Sequence, residues 1–417
     1  MKPKRVVITG LGMVTSLGND VPTNWQSLLQ GKSGAGDITH FDASKFKTHF
    51  ACEVKDLDVS NLFDPKELRR YDRCIHYAIK SAEEAIQDAQ IDVNQEDPLR
   101  CGVIYGSGMG GVHTLDTNIG AYFSGDGTPR YSPFFVPMII TNMAAGMLAI
   151  RYGFKGVNFA TTSACASSAH AIANACYQIR MGLADIIITG GSEAAVECCG
   201  VGGFNALHAL STRNDSPPTA SRPFSASRDG FVLGEGAGTL ILEEYEHAKA
   251  RGARIYAELA GIGLTADAYH LTASNPEGHG AKNAMQLAIN EADIKLEDVD
   301  YINTHGTSTP IGDIAEIKAI QDLFGEHAYN IHLTSSKSMT GHILGATGAV
   351  EAIISILSMQ HGIVTPTINH EEGDNDPNID YQLNFTFNKA QPRDIRYAMS
   401  NNFGFGGHNA CLLFKKY

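Results

Sequence analysis

Cys165 lies where a β-leaning run, Val157-Asn158-Phe159-Ala160-Thr161, gives way to a helical pattern with apolar Ala169, Ile172, Ala173, Cys176 and Ile179. The polar pair Thr162-Ser163 is suited to cap that helix, and a second apolar strand, Ile186-Ile187-Ile188, follows it. A thiol at a helix N-terminus faces unpaired backbone N–H groups and the positive end of the dipole, and both favour the nucleophilic thiolate. The dipole is worth about 0.3–1 kcal/mol, roughly 2 when partly buried, so other groups must complete the activation. A small buried core residue is the alternative reading of the same cysteine.

The second half holds two further reactive segments. THGTSTPIGD puts His305 in a loop after the strand Tyr301-Ile302-Asn303, and KSMTGHILGATG puts Lys337 and His342 at the opening of a Gly-rich helix. One loop histidine is by itself more often a structural hydrogen-bonder than a catalyst. An internal repeat changes that reading. SAEEAIQDAQIDVNQEDPLRCGVIYGSG and NAMQLAINEADIKLEDVDYINTHGTS share one order of helix, acidic link, strand and small-residue turn. The Cys165 helix is echoed by SSKSMTGHILGATGAVEAIISIL, and VVITGLGMVTSLG by IYAELAGIGLTADA. Three echoes in one order imply a duplicated βα unit, with halves at residues 1–255 and 256–417. The symmetry brings Cys165, His305 and His342 to one end of paired strands, and Gly306, Gly341, Gly345, Ala346 and Gly348 leave room for a ligand. Residues 111–155 and 192–237 lack counterparts and are expected to shape the pocket or subunit contacts.

Composition excludes several classes. The 417 residues suffice for two ordinary domains or one large duplicated one. Charged residues make up 18%, against about 25% usually, and glycine reaches 43 residues, which suggests much buried surface and a homo-oligomer. A net charge of −13 leaves no general footprint for nucleic acid. The eight cysteines form no CxxC pair, and Cys198-Cys199 lacks nearby histidines, so no metal site is expected. Met1 to Arg5 lead into a strand without a signal-peptide core, and the apolar run from Ala352 to Met359 is too short to span a bilayer. A reducing cytoplasm and no membrane insertion fit best.

Other motifs read as minor. Gly106 to Gly111 satisfies GxGxxG after a strand, but no helix pattern opens there, so nucleotide binding is not expected. GxSxG, HExxH and the P-loop are absent. EEGDNDPNID (371–380) reads as a solvated acidic loop. In NNFGFGGHN (401–409) the glycines make a poor strand, suggesting exposed backbone or a hinge, with Phe403 and Phe405 open to a core reading. Lys66, Arg69 and Arg70 fall on one face of the helical start DPKELRRYDRCIHYAI, either a solvated face or a dock for an acidic partner.

Taken together, these segments resemble the β-ketoacyl-[acyl-carrier-protein] synthases of the thiolase superfamily, most closely the bacterial type II condensing enzymes. The resemblance runs the length of the chain, through VVITGLGMVTSLGN, YGSGMGG, SPFFVPMIITNMAAG, TTSACASS, GGFNALHALSTRND, SRPFSASRDGFVLGEGAG, HGTSTPIGDIAE, KSMTGHILGATGAVE and NNFGFGGHN. It implies an α/β fold of five αβαβα layers in two pseudo-symmetric halves, and a homodimer. It makes Cys165 the nucleophile, His305 and His342 the pair that binds the malonyl thioester and assists loss of CO₂, and Lys337 and Glu351 their support. It gives Phe405 a gate whose backbone N–H joins that of Cys165 in an oxyanion hole. An acyl pocket of Met109, Phe135, Phe204 and Phe403 is implied, Phe135 reaching into the partner's tunnel, with Lys66, Arg69 and Arg70 docking the acyl carrier protein. No resident cofactor is implied, since phosphopantetheine arrives on the carrier. Two positions depart from the pattern: Ala166, where relatives commonly have Thr or Ser, and His208, where they often have Arg. A thiolase would need a second catalytic cysteine in the C-terminal half, where only Cys411 stands, and a chain-length-factor subunit would lack the nucleophile.

Overall fold

The computed structural model describes residues 3–417. Ten strands form one sheet: β1 (Val6–Val14), β2 (Cys101–Gly106), β3 (Asn158–Thr161), β4 (Ile186–Glu193), β5 (Gly236–Glu244), β6 (Ala257–Ala266), β7 (Tyr301–Asn303), β8 (His332–Thr334), β9 (Tyr397–Gly404) and β10 (His408–Lys416). Their order is β8-β7-β9-β10-β6-β1-β5-β4-β2-β3. Outward from the centre, β1-β5-β4-β2-β3 and β6-β10-β9-β7-β8 repeat the same sequence of antiparallel, antiparallel, parallel and parallel pairings. Among the described residues the two arms pair at Val7–Glu258 and Ile8–Ala257. The repeat expected from the three echoes is thus present strand for strand.

Helices α1 (Arg73–Ala89), α2 (Val112–Ser124), α3 (Met143–Tyr152), α4 (Ser167–Arg180), α5 (Cys198–Ala206), α6 (His279–Ala292), α7 (Pro310–Phe324) and α8 (Thr347–His361) complete the frame. α4 and α8 pack on each other between the arms, α1 and α3 cover the outer face of the first, and α6 and α7 cover that of the second. Five layers result. α1 buries Ile75, Ala78, Ile79, Ala82, Ala85 and Ile86, spaced three and four apart, which is the apolar stripe a surface helix needs. The outer helices lie very close to the central strands because glycines face them. A Cβ on Gly10 or Gly12 of β1 would come 2.2 and 1.8 Å from the Ala85 and Ser81 carbonyl oxygens, and one on Gly261 or Gly263 of β6 would come 2.0 and 1.7 Å from those of Ala288 and Ala284. Both halves use the same two-glycine device. Among the described residues no helix is long and apolar enough to cross a membrane.

Two sequence expectations give way here. A helix, α2, does open just after the GxGxxG turn. The N–H groups of Gly108 and Met109 bond the buried Glu193 carboxyl group at 2.7 and 3.1 Å, so an internal side chain takes those donors. The acidic loop is not merely solvated. Asp376 meets the buried Arg228 at 2.9 Å, and Asp374 accepts from Ser227 N–H and Oγ at 2.8 and 2.6 Å.

Candidate active site

Cys165 stands between β3 and α4, but the helix starts at Ser167, and Ala166 at the N-cap makes no side-chain cap. The expected capping pair is used otherwise. Thr162 Oγ1 donates to the Ser107 carbonyl at 3.1 Å, and Ser163 Oγ meets His170 Nδ1 at 2.6 Å. Ser167 ties the loop instead, its hydroxyl accepting from Ser163 N–H at 2.9 Å and donating to Ala164 O at 2.6 Å. Ala164 is held at φ 51°, in the left-handed region, one residue before the thiol. Such a non-glycine conformation costs about 1–3 kcal/mol and survives only where its neighbours over-determine it. Ala166 behind it is fully buried, a position that a methyl fills.

The symmetry-related loops bring the two histidines to this sulfur. His342 Nε2 lies 3.0 Å from Cys165 Sγ, and its Nδ1 lies 3.0 Å from Thr347 Oγ1. Its backbone is fixed by an N–H bond to Val232 O at 2.7 Å, and Phe231 packs edge-on at a centroid distance of 5.1 Å. The His305 ring stands nearly perpendicular to that of His342, centroids 5.5 Å apart, and its buried Nδ1 has no hydrogen-bond partner. The Glu316 carboxylate accepts the backbone N–H groups of His305 and Gly306, each at 2.8 Å. Lys337 Nζ is 2.5 Å from Glu351 Oε1, both side chains 1% exposed, and Asn402 Nδ2 donates to Glu351 Oε2 at 2.7 Å.

Burial dominates the electrostatics. It pushes the Cys165 thiol up to about 12, against the Lys337 charge and the backbone N–H groups of Phe405 and Cys165, which pull it down. Burial followed by Lys337 holds His342 well below its ordinary value, and His305 likewise with a further push from His342. The resting site therefore holds a neutral thiol and two neutral imidazoles. The helix-end preference for thiolate is real but smaller than the desolvation penalty. With the proton on sulfur, S–H donates to Nε2 of His342 and Nδ1–H donates to Thr347. A threonine hydroxyl can also donate, so the ring can exchange tautomers without losing its partner.

The glycine-rich C-terminal segment completes the site as a hairpin. β9 runs to Gly404, a turn at 405–407 follows with Gly406 and Gly407 at φ 87° and 74°, and His408 opens β10. The strand persists despite its glycines because Gly404 must pass the cysteine loop, where a Cβ would sit 2.5 Å from Ser163 O. A cavity of about 340 Å³ opens from Cys165, walled by His305, His342, Phe204, Phe403 and Phe405.

Other expected residues fall elsewhere. Met109 is surface-exposed and Phe135 packs on Tyr131 at 4.8 Å between centroids; neither is on the cavity wall within this chain. Lys66, Arg69 and Arg70 do not share an α-helix face, because Leu68–Arg70 is a single 3₁₀ turn and Asp72 caps α1 at Cys74 N–H. All three are exposed, and Arg70 lies over the Phe134 ring at 5.0 Å. His208 is exposed at φ 53°. Cys411 is fully buried in β10, away from the cavity, so no second thiol serves the site. Among the described residues no group of three His, Cys, Asp or Glu is arranged to hold a metal ion. Glu316, Thr347 and Phe231 were not singled out from sequence. Only Glu316 left a signal, an acid inside the apolar run Ile314-Ala315-Glu316-Ile317.

Fold and cavity together define a thiolase-fold protein with a Cys–His–His centre. The chain belongs to the β-ketoacyl synthase family: the model of its N-terminal domain matches residues 3–248, and that of its C-terminal domain matches residues 256–371. The 3-oxoacyl-[acyl-carrier-protein] synthase 2 of Staphylococcus aureus strain COL is 50% identical over 414 residues, covering 99% of each chain. That of Coxiella burnetii is 47% identical over 416 residues, covering 100% of this chain and 99% of the other. Among solved structures, a β-ketoacyl synthase from Burkholderia phymatum is 37% identical with a TM-score of 0.92, covering 99% of this chain and 100% of that one. A type II polyketide ketosynthase in complex with its acyl-carrier protein is 33% identical with a TM-score of 0.89, with full coverage of both chains.

Proposed function

We propose that this protein is a decarboxylating condensing enzyme that joins an acyl group held on Cys165 to malonyl-[acyl-carrier-protein], giving 3-oxoacyl-[acyl-carrier-protein] and CO₂ in fatty-acid elongation. The observation that carries the reading is the 3.0 Å contact between His342 Nε2 and Cys165 Sγ, with the unpartnered His305 ring beside it. In the first half-reaction Sγ attacks the acyl thioester as its proton passes to His342 and on to the departing phosphopantetheine thiol. In the second, N–H groups of His305 and His342 hold the malonyl thioester oxygen while CO₂ leaves. Each such donor is worth about 2.7–4 kcal/mol by comparison with measured oxyanion donors. The carbanion then attacks the acyl carbonyl, whose oxygen is received by the N–H groups of Cys165 and Phe405. The Cys165 thiolate departs and takes a proton from solvent water, the one proton the net reaction consumes. Lys337 and Glu351 hold the field around both imidazoles.

On this reading phosphopantetheine is delivered by the carrier protein rather than held as a resident cofactor, and the enzyme works in the cytoplasm as a homodimer. Lys66, Arg69 and Arg70 form an exposed cationic turn on an acidic protein, which suits an acidic carrier. Phe204 and Phe403 flank the acyl chain on this subunit, Met109 helps shape its tunnel, and Phe135 lines the tunnel of the partner subunit. The test is a pair of assays on His342→Ala. Acylation of Cys165 by acyl-carrier protein, read by intact mass, should persist slowly while CO₂ release from malonyl-carrier protein is lost. Normal CO₂ release in the variant would refute the assignment.

A further inference from the structure

Three side chains behind the thiol, none of them on the cavity wall, tie together the two loops whose backbone N–H groups reach the sulfur. Ser163, in the loop before Cys165, bonds His170 on the first turn of α4 at 2.6 Å. The His170 ring stands at 90° to that of His408, with centroids 6.3 Å apart. His408 pairs across the hairpin with Gly404 and closes the turn that carries Phe405. The packing is tight at both ends. A Cβ on Gly406 would meet His408 Nε2 at 3.0 Å, and one on Gly404 would meet Ser163 O at 2.5 Å. Burial and the neighbouring His408 lower His170 to about 4, so this ring is neutral and its hydrogen bond to Ser163 carries no charge.

We propose that His170 and His408 are positioning residues that set the spacing between the nucleophile loop and the Phe405 turn, so that the N–H groups of Cys165 and Phe405 converge on one oxygen. The inference rests on reading those two groups as oxyanion donors. Neither histidine touches substrate. Their effect passes through Ser163 on one side and the hairpin turn on the other, and it concerns steps in which a tetrahedral oxyanion forms. Alkylation of the thiol forms no such oxyanion and feels these N–H groups only through the thiolate fraction, so the ratio of acylation to alkylation separates positioning of the donors from damage to the sulfur.

The experiment compares two reactions of Cys165, each followed by intact mass: acylation by an acyl-pantetheine thioester and alkylation by iodoacetamide. For His170→Ala, His408→Ala and Ser163→Ala, acylation should fall about tenfold to a hundredfold more than alkylation, the range expected when a donor or reacting group is displaced. The Ser163→Ala/His170→Ala double variant should be no slower than His170→Ala alone, because both changes break the Ser163–His170 link. His170→Asn, which returns a polar atom to the Nδ1 position, should recover most of the rate. Wild-type acylation in all variants, multiplied effects in the double variant, or an equal fall of acylation and alkylation would overturn the proposal. Condensation by the wild-type protein with malonyl-carrier protein is scored separately and decides only the functional reading.

Discussion

At the scale of single residues, the ionisation of the thiol is what the fold changes most. A cysteine just before a helix looks primed as thiolate, yet Cys165 is buried and its thiol is pushed up to about 12. The proton must then leave in concert with attack, and the neutral His342 is placed to take it. The thiolate fraction below such a value grows tenfold per pH unit, whereas a free cysteine levels off near its pKa of about 8.5. Iodoacetamide alkylation of Cys165 should therefore rise log-linearly from about pH 7 to 9.5 with no plateau near 8.5. A rate that is flat across this range would mean a resting thiolate. The convergence of Cys165, His305 and His342 was legible because the repeat aligns them. Their protonation was not, since desolvation depends on packing from segments far apart in sequence.

At the scale of elements, local patterns failed where distant groups took over the backbone donors or the charges. Thr162 and Ser163 have the chemistry of caps, but tertiary contacts to Ser107 and His170 claim their hydroxyls. The cationic run at 66–70 has helical spacing, but Asp72 spends its carboxylate capping α1 and bonding Thr114, which fixes the helix start beyond the run. The loop at 371–380 reads as solvated because its acids face arginines more than 140 positions earlier in the chain. Arg228 is 1% exposed and lies between Asp313 at 3.4 Å and Asp376 at 2.9 Å. A charge-assisted bond to a buried group is worth about 1.5–3 kcal/mol. Asp376→Ala should therefore lower unfolding stability by about that amount in urea titration, with the cavity chemistry retained. A loss below about 0.5 kcal/mol would return the loop to the status of an ordinary surface segment.

At the scale of the molecule, duplication explains both what the sequence revealed and where it stopped. Paired glycines in β1 and β6, matched helices and matched strand order all left echoes, because each half must solve the same packing problem. Segment 111–155 left none, having no counterpart. It carries exposed apolar side chains that a monomer rarely gathers, among them Phe123 at 80% and Val136 at 58% exposure, with Leu115, Ile119 and Ile140 nearby in sequence. It also carries Phe135, which does not line the Cys165 cavity of its own chain. Burying this segment against a second copy would account for both facts, since an isologous contact covers the same patch twice. The wild type should then sediment at twice the 44.7 kDa of one chain, and the variant Ile119→Asp/Val136→Asp at that of one chain. Acylation with long chains should suffer more than with acetyl if the partner supplies the far wall of the acyl site, because only long chains would extend to it. A wild-type monomer with full long-chain activity would show instead that this surface serves another contact and that one chain alone encloses its acyl group.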